Sequence, residues 1–242
     1  MADSLSTCWR EKAEVCMMSS PMGDVQAVRI EPNGLEGLLG MNDMPQGLVL
    51  FAHGSGSGRH SPRNNYVASG LRQAGMVTLL LDLLRPEEED DRAKVFDIPL
   101  LASRLLDATR WARQQRDLAQ LPIGYFGAST GAGAALVAAA DPSVEVAAVV
   151  SRGGRPDLAG PALARVRAPT LLIVGGLDMP VIDLNKQALA QLNCDKELTI
   201  VPGATHLFEE PGTLAQVLAL AAGWFARHLR AAETGKEDEN DI

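Results

Sequence analysis

The chain has 242 residues, of which 46% are hydrophobic and 21% are charged, and its formal net charge is −8. This composition is ordinary for a soluble globular protein, and the acidic balance argues against a nucleic-acid partner, which needs clustered Lys and Arg. No run of about 18 uncharged apolar residues occurs, so neither a membrane span nor a membrane partner is expected.

The first half of the chain predicts two paired strands followed by strands and helices in alternation. The predicted elements are, in chain order, strands at 24–30, 35–40 and 47–52, a helix at 61–75, a strand at 76–84, a charged surface loop at 85–94 and a helix at 97–117. The acidic run within that loop is interpreted as solvated, and no metal is assigned to it.

The second half continues the alternation. Its predicted elements are a strand at 122–126, a helix at 130–140, a strand at 144–151, a short helix near 158–166, a strand at 168–176, a helix at 183–192, a strand at 197–203 and a closing helix at 212–230. Such alternation predicts one α/β domain with a mostly parallel sheet of about eight strands and helices on both faces. The closing helix carries Trp224, which either packs onto the sheet or forms a homodimer surface.

The two ends of the chain and its cysteines indicate where the folded domain begins and ends and in which cellular compartment the protein is expected. The α/β domain is assigned to 24–230, with an N-terminal extension at 1–23 and an acidic, disordered tail at 231–242. The extension has no apolar run of the kind that a secretory signal needs. The three cysteines (Cys8, Cys16 and Cys194) show no C-x-x-C spacing, so neither a disulfide framework nor a zinc site is predicted. We therefore expect a cytoplasmic enzyme.

Polar residues directly follow three of the predicted strands. Because ligands bind beyond the carboxyl ends of parallel strands, these positions should meet at one edge of the sheet. Ser129 follows 122–126 within the pattern G-x-S-x-G, and Asp178 and His206 follow the strands at 168–176 and 197–203. G-x-S-x-G is typical of a nucleophilic serine on a sharp strand-to-helix turn.

A serine hydroxyl needs a base and a group that orients the base. His206 is the candidate base, and Asp178 is the candidate acid that holds the other ring nitrogen of His206. Asp183 is a rival acid, although it fits better as a helix N-cap. For the oxyanion of the reaction, the predicted donors are the backbone N–H of Thr130 and one from Gly54 or Ser55.

These segments together resemble the α/β-hydrolase superfamily, and within it the dienelactone-hydrolase-like group. The resemblance is carried by "LVLFAHGSGSGRHSPRNNYVA", "YFGASTGAGAAL", "APTLLIVGGLDMPV" and "VPGATHLFEEPGTL". It implies an α/β-hydrolase fold, with Ser129 as nucleophile, Asp178 as acid and His206 as base. The best-known dienelactone hydrolases have a cysteine where this chain has Ser129, so the resemblance is to the serine members.

The resemblance also bears on lids and on neighbouring residues. Lids in this superfamily usually follow the strand at 144–151, and only 152–167 separate it from the next strand. No cap domain is therefore expected, and the active site should be open and shallow. In this family a histidine at the position of His53 usually supports the oxyanion loop.

Four residues near the active edge are candidate substrate contacts: His53, Arg59, Arg152 and Arg155. Each arginine suits a carboxylate substrate, although a surface ion pair is the favoured interpretation of each. The sequence alone leaves these alternatives open.

The glycines around Ser129 also fit the phosphate turn of short-chain dehydrogenases. Those enzymes place the turn after the first strand, with a Tyr-x-x-x-Lys pair downstream. Here the turn lies mid-chain, both tyrosines lie upstream of the helix at 130–140, and no acidic residue ends the following strand. A nucleotide site is therefore not favoured.

The predicted function is a serine carboxylesterase that acts on small or short-chain esters or lactones without a metal or organic cofactor. Acyl transfer and thioester, amide or peracid chemistry on the same triad are alternatives. A non-catalytic binding protein that has kept the fold is a second alternative.

Overall fold

The structure is a computed structural model that describes residues 25–229. The predicted N-terminal extension, the acidic tail, Cys8 and Cys16 lie outside the described residues. Between residues 25 and 229, no helix combines the length and the hydrophobicity that a membrane span needs.

Eight strands form one sheet in the order β1-β2-β4-β3-β5-β6-β7-β8. The strands are β1 Val25–Ile30, β2 Leu35–Gly40, β3 Gly47–Ala52, β4 Met76–Leu81, β5 Ile123–Ala128, β6 Ala148–Arg152, β7 Thr170–Gly175 and β8 Lys196–Val201. β2 pairs antiparallel with β1 and β4, and the remaining neighbours are parallel. The carboxyl ends of β3 to β8 therefore face one edge, as the alternation predicts.

Helices cover both faces of this sheet. They are α1 Pro62–Gln73, α2 Pro86–Glu89, α3 Arg92–Val95, α4 Ile98–Gln114, α5 Thr130–Ala139, α6 Met179–Gln191 and α7 Thr213–His228, with a 3-10 segment at Pro156–Arg165. α1 and α7 contribute to the core on one face, and α4, α5 and α6 contribute to the core on the other. Together they make a single-domain α/β fold.

Because side chains alternate between the two faces of a strand, one apolar run packs into the cores on both faces of the sheet. In β3, Leu48 and Leu50 point to the layer of α4 and α5, whereas Val49 and Phe51 point to the layer of α1 and α7. All six residues of β3 are buried, as expected for a central parallel strand. Trp224 is 3% exposed in the core beneath α7, so its packing on the sheet is confirmed.

The prediction of a loop at 85–94 is wrong, whereas the predicted solvation of its acidic run is confirmed for every residue but Glu88. The segment forms α2 and α3, and within it Glu88 is only 4% exposed. Its carboxylate lies 3.1 Å from Arg85 Nη2, 3.3 Å from Arg104 Nη2 and 3.8 Å from Lys94 Nζ. The three cations neutralise a charge that would otherwise be too costly to bury. Arg104 belongs to α4, so its contact with Glu88 holds the segment against α4, beside the carboxyl edge of the sheet.

Candidate active site

Ser129 occupies the sharp corner between β5 and α5. Its backbone has φ 50° and ψ −123°, a region that costs a residue with a Cβ about 1–3 kcal/mol. The backbone N–H of Ser129 donates to Arg152 O at 3.3 Å, and Ser129 O accepts from the N–H of Arg155 at 3.0 Å. The side chain makes no capping hydrogen bond to α5, so the hydroxyl is not engaged by the helix that it precedes.

Close backbone packing explains why glycine flanks this serine. A Cβ built on Gly127 would lie 2.5 Å from Ala132 Cα, and one built on Gly131 would collide with the carbonyl oxygens of Ala52 and His53. A side chain at Gly127 would push α5 away from β5, and one at Gly131 would push α5 away from the end of β3. The G-x-S-x-G pattern is therefore a steric requirement of this corner.

Asp178 and His206 meet beyond the ends of β7 and β8. Asp178 Oδ2 lies 2.7 Å from His206 Nδ1. Asp178 stands at the N-cap position of α6, yet its side chain makes no cap hydrogen bond. The prediction that Asp183 caps this helix is wrong, because α6 begins at Met179 and Asp183 lies within it, exposed and 3.8 Å from Lys186 Nζ. Asp178 is thus the acid that contacts the imidazole.

A cavity of about 880 Å³ opens at this edge of the sheet, a size that suits a small organic ligand. Ser129, His206, Thr130, Gly54 and Ser55 all line it. The α2–α3 segment contributes a wall through Pro86, Glu89, Asp90 and Val95. The structure therefore brings the predicted nucleophile, base and oxyanion residues to one cavity, and Asp178 lies behind His206.

Ser55 and Thr130 contact one another across the predicted oxyanion hole. The backbone N–H of Ser55 donates to Thr130 Oγ1 at 3.1 Å. This donor is therefore already engaged by a hydroxyl. Gly54 packs against the nucleophile instead, since a Cβ there would lie 2.8 Å from Ser129 Cβ.

His53 is bound on both ring nitrogens by backbone groups. Its Nε2 accepts the N–H of Leu83 at 3.0 Å, and its Nδ1 lies 2.9 Å from Gly54 O. Because Nε2 accepts, Nδ1 carries the proton and donates to that carbonyl. The ring is 8% exposed and joins the loop after β3 to the turn after β4. These contacts support the structural role over substrate contact.

Two of the three candidate arginines are held by carboxylates. Arg59 pairs with Asp82 and lies 2.5 Å from Glu36 Oε2. Arg155 donates from Nε and Nη2 to the two carboxylate oxygens of Asp157 at 2.8 and 2.7 Å. Both arginines therefore form ion pairs, but only that of Arg155 lies away from the cavity; Arg59 and the buried Asp82 both line it.

Arg152, the third arginine, lines the cavity and is 8% exposed. Sequence reasoning missed two residues beside it. Arg63, in the first turn of α1, also lines the cavity. Asn185 is fully buried on α6, and its Nδ2 donates to Gly154 O at 3.0 Å, which fixes the loop after β6. The location of Arg63 could have been inferred, because a helix that follows β3 begins at the active edge.

The described residues contain no group of three His, Cys, Asp or Glu side chains that could hold a metal ion.

The model of the dienelactone hydrolase family matches residues 46–233. The chain belongs to the dienelactone hydrolase family. A solved structure of a dienelactone hydrolase from Anabaena variabilis is 57% identical and superposes with a TM-score of 0.83, covering 86% of this chain and all of that one. The eight-stranded sheet and its helices thus match a family member of known structure.

Three curated relatives carry names of two different kinds. Proteins from Mycobacterium tuberculosis named "Putative phosphoribosyl transferase" are 65% identical over 198 residues, which is 82% of this chain and 45% of theirs. This chain thus spans about half the length of those relatives. A "Probable 2-oxo-3-(5-oxofuran-2-ylidene)propanoate lactonase" from Bradyrhizobium is 31% identical over 166 residues, or 60% of this chain and 66% of that protein. The family to which this chain belongs is, by name, a family of hydrolases.

Proposed function

We propose that the chain is a serine carboxylic-ester hydrolase that acts on small or short-chain esters or lactones. One observation carries the proposal: a serine with a strained backbone shares a cavity with an imidazole whose Nδ1 lies 2.7 Å from a partly buried carboxylate. Strain of this kind persists where the surrounding structure enforces it, typically at functional sites.

In the proposed reaction, Ser129 Oγ attacks the ester carbonyl carbon and transfers its proton to His206 Nε2. The Nδ1–H of His206 donates to Asp178, which stabilises the imidazolium. The imidazolium then protonates the departing alkoxide, and an acyl-enzyme remains. Water attacks the acyl carbon, loses a proton to His206 and releases the acid, and the proton returns to Ser129.

The oxyanion of each tetrahedral intermediate needs two donors. We assign one to the backbone N–H of Thr130, at the N-terminus of α5, where the helix dipole favours negative charge. We assign the second to the loop at Gly54 and Ser55. Since the Ser55 N–H donates to Thr130 Oγ1 at 3.1 Å, an oxyanion would either share that donor or use the Gly54 N–H.

The family and one relative support ester or lactone chemistry. Dienelactone hydrolases are hydrolases by name, and the Bradyrhizobium relative is named as a lactonase. The phosphoribosyl transferase name belongs to proteins of about twice the matched length, whereas the match to the dienelactone hydrolase family spans residues 46–233 of this chain. We therefore assign hydrolysis, not phosphoribosyl transfer, to this chain.

A Ser129→Ala variant tests the proposal. We expect the wild-type chain to hydrolyse short-chain 4-nitrophenyl esters and to form a fluorophosphonate adduct at Ser129, and the variant to do neither. Circular dichroism should show that the variant is folded. Turnover retained in the folded variant would refute the proposal, and wild-type protein that forms no adduct would favour the binding-protein alternative.

Acyl transfer and thioester, amide or peracid chemistry would use the same acyl-enzyme. Product analysis in the presence of alcohols, amines or peroxide distinguishes them from hydrolysis. For the proposed esterase, the free acid should remain the main product.

A further inference from the structure

The hydroxyl of Thr130 lies buried at the active site. Thr130 is 4% exposed and lines the cavity that holds Ser129 and His206. Its Oγ1 accepts the backbone N–H of Ser55 at 3.1 Å, and it donates to no acceptor among the described residues. A hydroxyl carries one donor as well as its acceptor lone pairs. Since a buried donor without a partner costs free energy, the Thr130 proton needs an acceptor.

Two other buried threonines on helices donate their proton to a main-chain carbonyl. Thr109 donates to the carbonyl four residues earlier in α4 at 2.9 Å. Thr213, the first residue of α7, donates to the carbonyl three residues earlier at 2.8 Å. Thr130 is likewise the first residue of its helix, but only Ser129 separates it from β5. No carbonyl of that extended strand accepts from Thr130, so its proton is available to a ligand.

The oxyanion hole brings an incoming oxygen next to this hydroxyl. Acceptors that share one N–H lie on the same side of its nitrogen, each about 3 Å from it. An oxyanion bound to the Ser55 N–H therefore comes close to Thr130 Oγ1, which already accepts from that N–H. Two oxygens so close repel one another unless one of them donates, and an oxyanion has no proton to give. The hydroxyl of Thr130 is then the donor.

We propose that the Thr130 side chain is a catalytic hydrogen-bond donor, which joins the N–H groups of Thr130 and Ser55 in binding the oxyanion. This inference rests on the proposed ester hydrolysis and adds a third donor to it. When the oxyanion forms, it shares the Ser55 N–H, and the hydroxyl turns its proton towards the new charge. Because hydrogen bonds to ionised acceptors are the stronger ones, the donor stabilises the transition state more than the bound ester.

Fluorophosphonate labelling tests the donor without ester turnover. In this reaction Ser129 Oγ bonds to phosphorus, fluoride leaves, and the phosphonyl oxygen takes the place of the oxyanion. We expect Thr130→Val, which removes the hydroxyl at nearly constant volume, to slow adduct formation about 10²-fold. Thr130→Ser restores a hydroxyl and should recover most of the rate. Thr199→Val, a change on β8 outside the cavity, is the control and should react like the wild type.

Two further measurements separate donation from mere support of the loop after β3. Steady-state kinetics of Thr130→Val with a 4-nitrophenyl ester should show the loss in kcat with little change in KM, as for an interaction made in the transition state. A crystal structure of the wild-type phosphonyl adduct should place the phosphonyl oxygen within about 3 Å of Thr130 Oγ1.

Three results would overturn the inference while the wild type still reacts, and the proposed function would then stand. Thr130→Val could react as fast as the control, Thr130→Ser could be no faster than Thr130→Val, or the phosphonyl oxygen could lie beyond hydrogen-bond distance of Thr130 Oγ1. Wild-type protein that neither hydrolyses esters nor forms the adduct would overturn the proposed function, and the inference with it.

Discussion

Asp178 Oδ2 lies 2.7 Å from His206 Nδ1, although Asp178 stands at the position from which an aspartate normally caps a helix. The first turn of α6 is left without a side-chain cap, an omission that typically costs about 1 kcal/mol. The carboxylate is thereby free to orient the imidazole. The side chain of Asp178 therefore interacts with His206 and does not stabilise α6 as an N-cap would.

Asp178→Asn should lower kcat for ester hydrolysis by about 10²–10⁴-fold, because an amide at this position stabilises neither the right tautomer nor the imidazolium of His206. Steady-state kinetics with a 4-nitrophenyl ester measures the effect. Asp183→Asn, an exposed change on the same helix, is the matched control and should retain nearly full activity. Equal losses in the two variants would argue against Asp178 as the acid.

The strain at Ser129 should be visible in stability. Ser129→Ala and Ser129→Gly both remove the hydroxyl, but only glycine adopts φ 50° and ψ −123° without penalty. We expect the glycine variant to be more stable than the alanine variant by about 1 kcal/mol in urea unfolding, with both inactive. If the alanine variant is as stable as the glycine variant, or more stable, the backbone at Ser129 is not strained.

Gly54→Ala should lower kcat/KM by about 10²-fold, because its Cβ would lie 2.8 Å from Ser129 Cβ and 3.1 Å from Ala128 O, and small displacements of reacting groups are costly. Gly223→Ala in α7 meets no atom within 4 Å. This control should keep full activity and gain about 0.5–1 kcal/mol of stability. Full activity of Gly54→Ala would contradict the close packing of the loop on the nucleophile.

Glu88 should make stability depend on acid pH. Its hydrogen bonds with Arg85 and its attraction to Arg104 lower its pKa from 4.5 to about 2. A depressed carboxyl pKa stabilises the fold above about pH 4.5, and this contribution is lost as the pH falls towards 2. Glu88→Gln should therefore cost about 2–3 kcal/mol at pH 6 and far less near pH 2.

Urea unfolding at several pH values measures this difference, and Glu89→Gln, an exposed neighbour, is the control. If Glu88→Gln lowers the free energy of unfolding by the same amount at pH 6 and pH 2, the charge of Glu88 is not the cause of the loss.

Most of the sheet could be predicted, because continuous apolar runs such as 47–52 and 170–175 are distinctive and glycine punctuates them. The placement of Ser129 and His206 followed from one rule, that parallel strands end at a common edge. That rule identifies positions after strands, and it needs no knowledge of how the side chains are partnered.

What could not be predicted depends on partners that are distant in sequence. The acidic run around Glu88 resembles a solvated loop until Arg104 of α4 is brought against it. Likewise, the three candidate arginines look equivalent in the sequence. Only the folded chain supplies Asp82 to Arg59 and leaves Nε and Nη1 of Arg152 without an acceptor.

The main chain of Ser129 is hydrogen-bonded to two residues of the loop that follows β6. The N–H of Ser129 donates to the carbonyl of Arg152, and its carbonyl accepts from the N–H of Arg155. Residues 152–155 therefore hold the turn that orients the Ser129 hydroxyl, and they include the Arg152 guanidinium, whose Nε and Nη1 have no acceptor among the described residues. A shift of this stretch on ligand arrival would reach the attacking oxygen through two peptide hydrogen bonds. Under the proposed mechanism, substitutions at the end of β6 would accordingly alter the reactivity of Ser129 along with ligand selectivity.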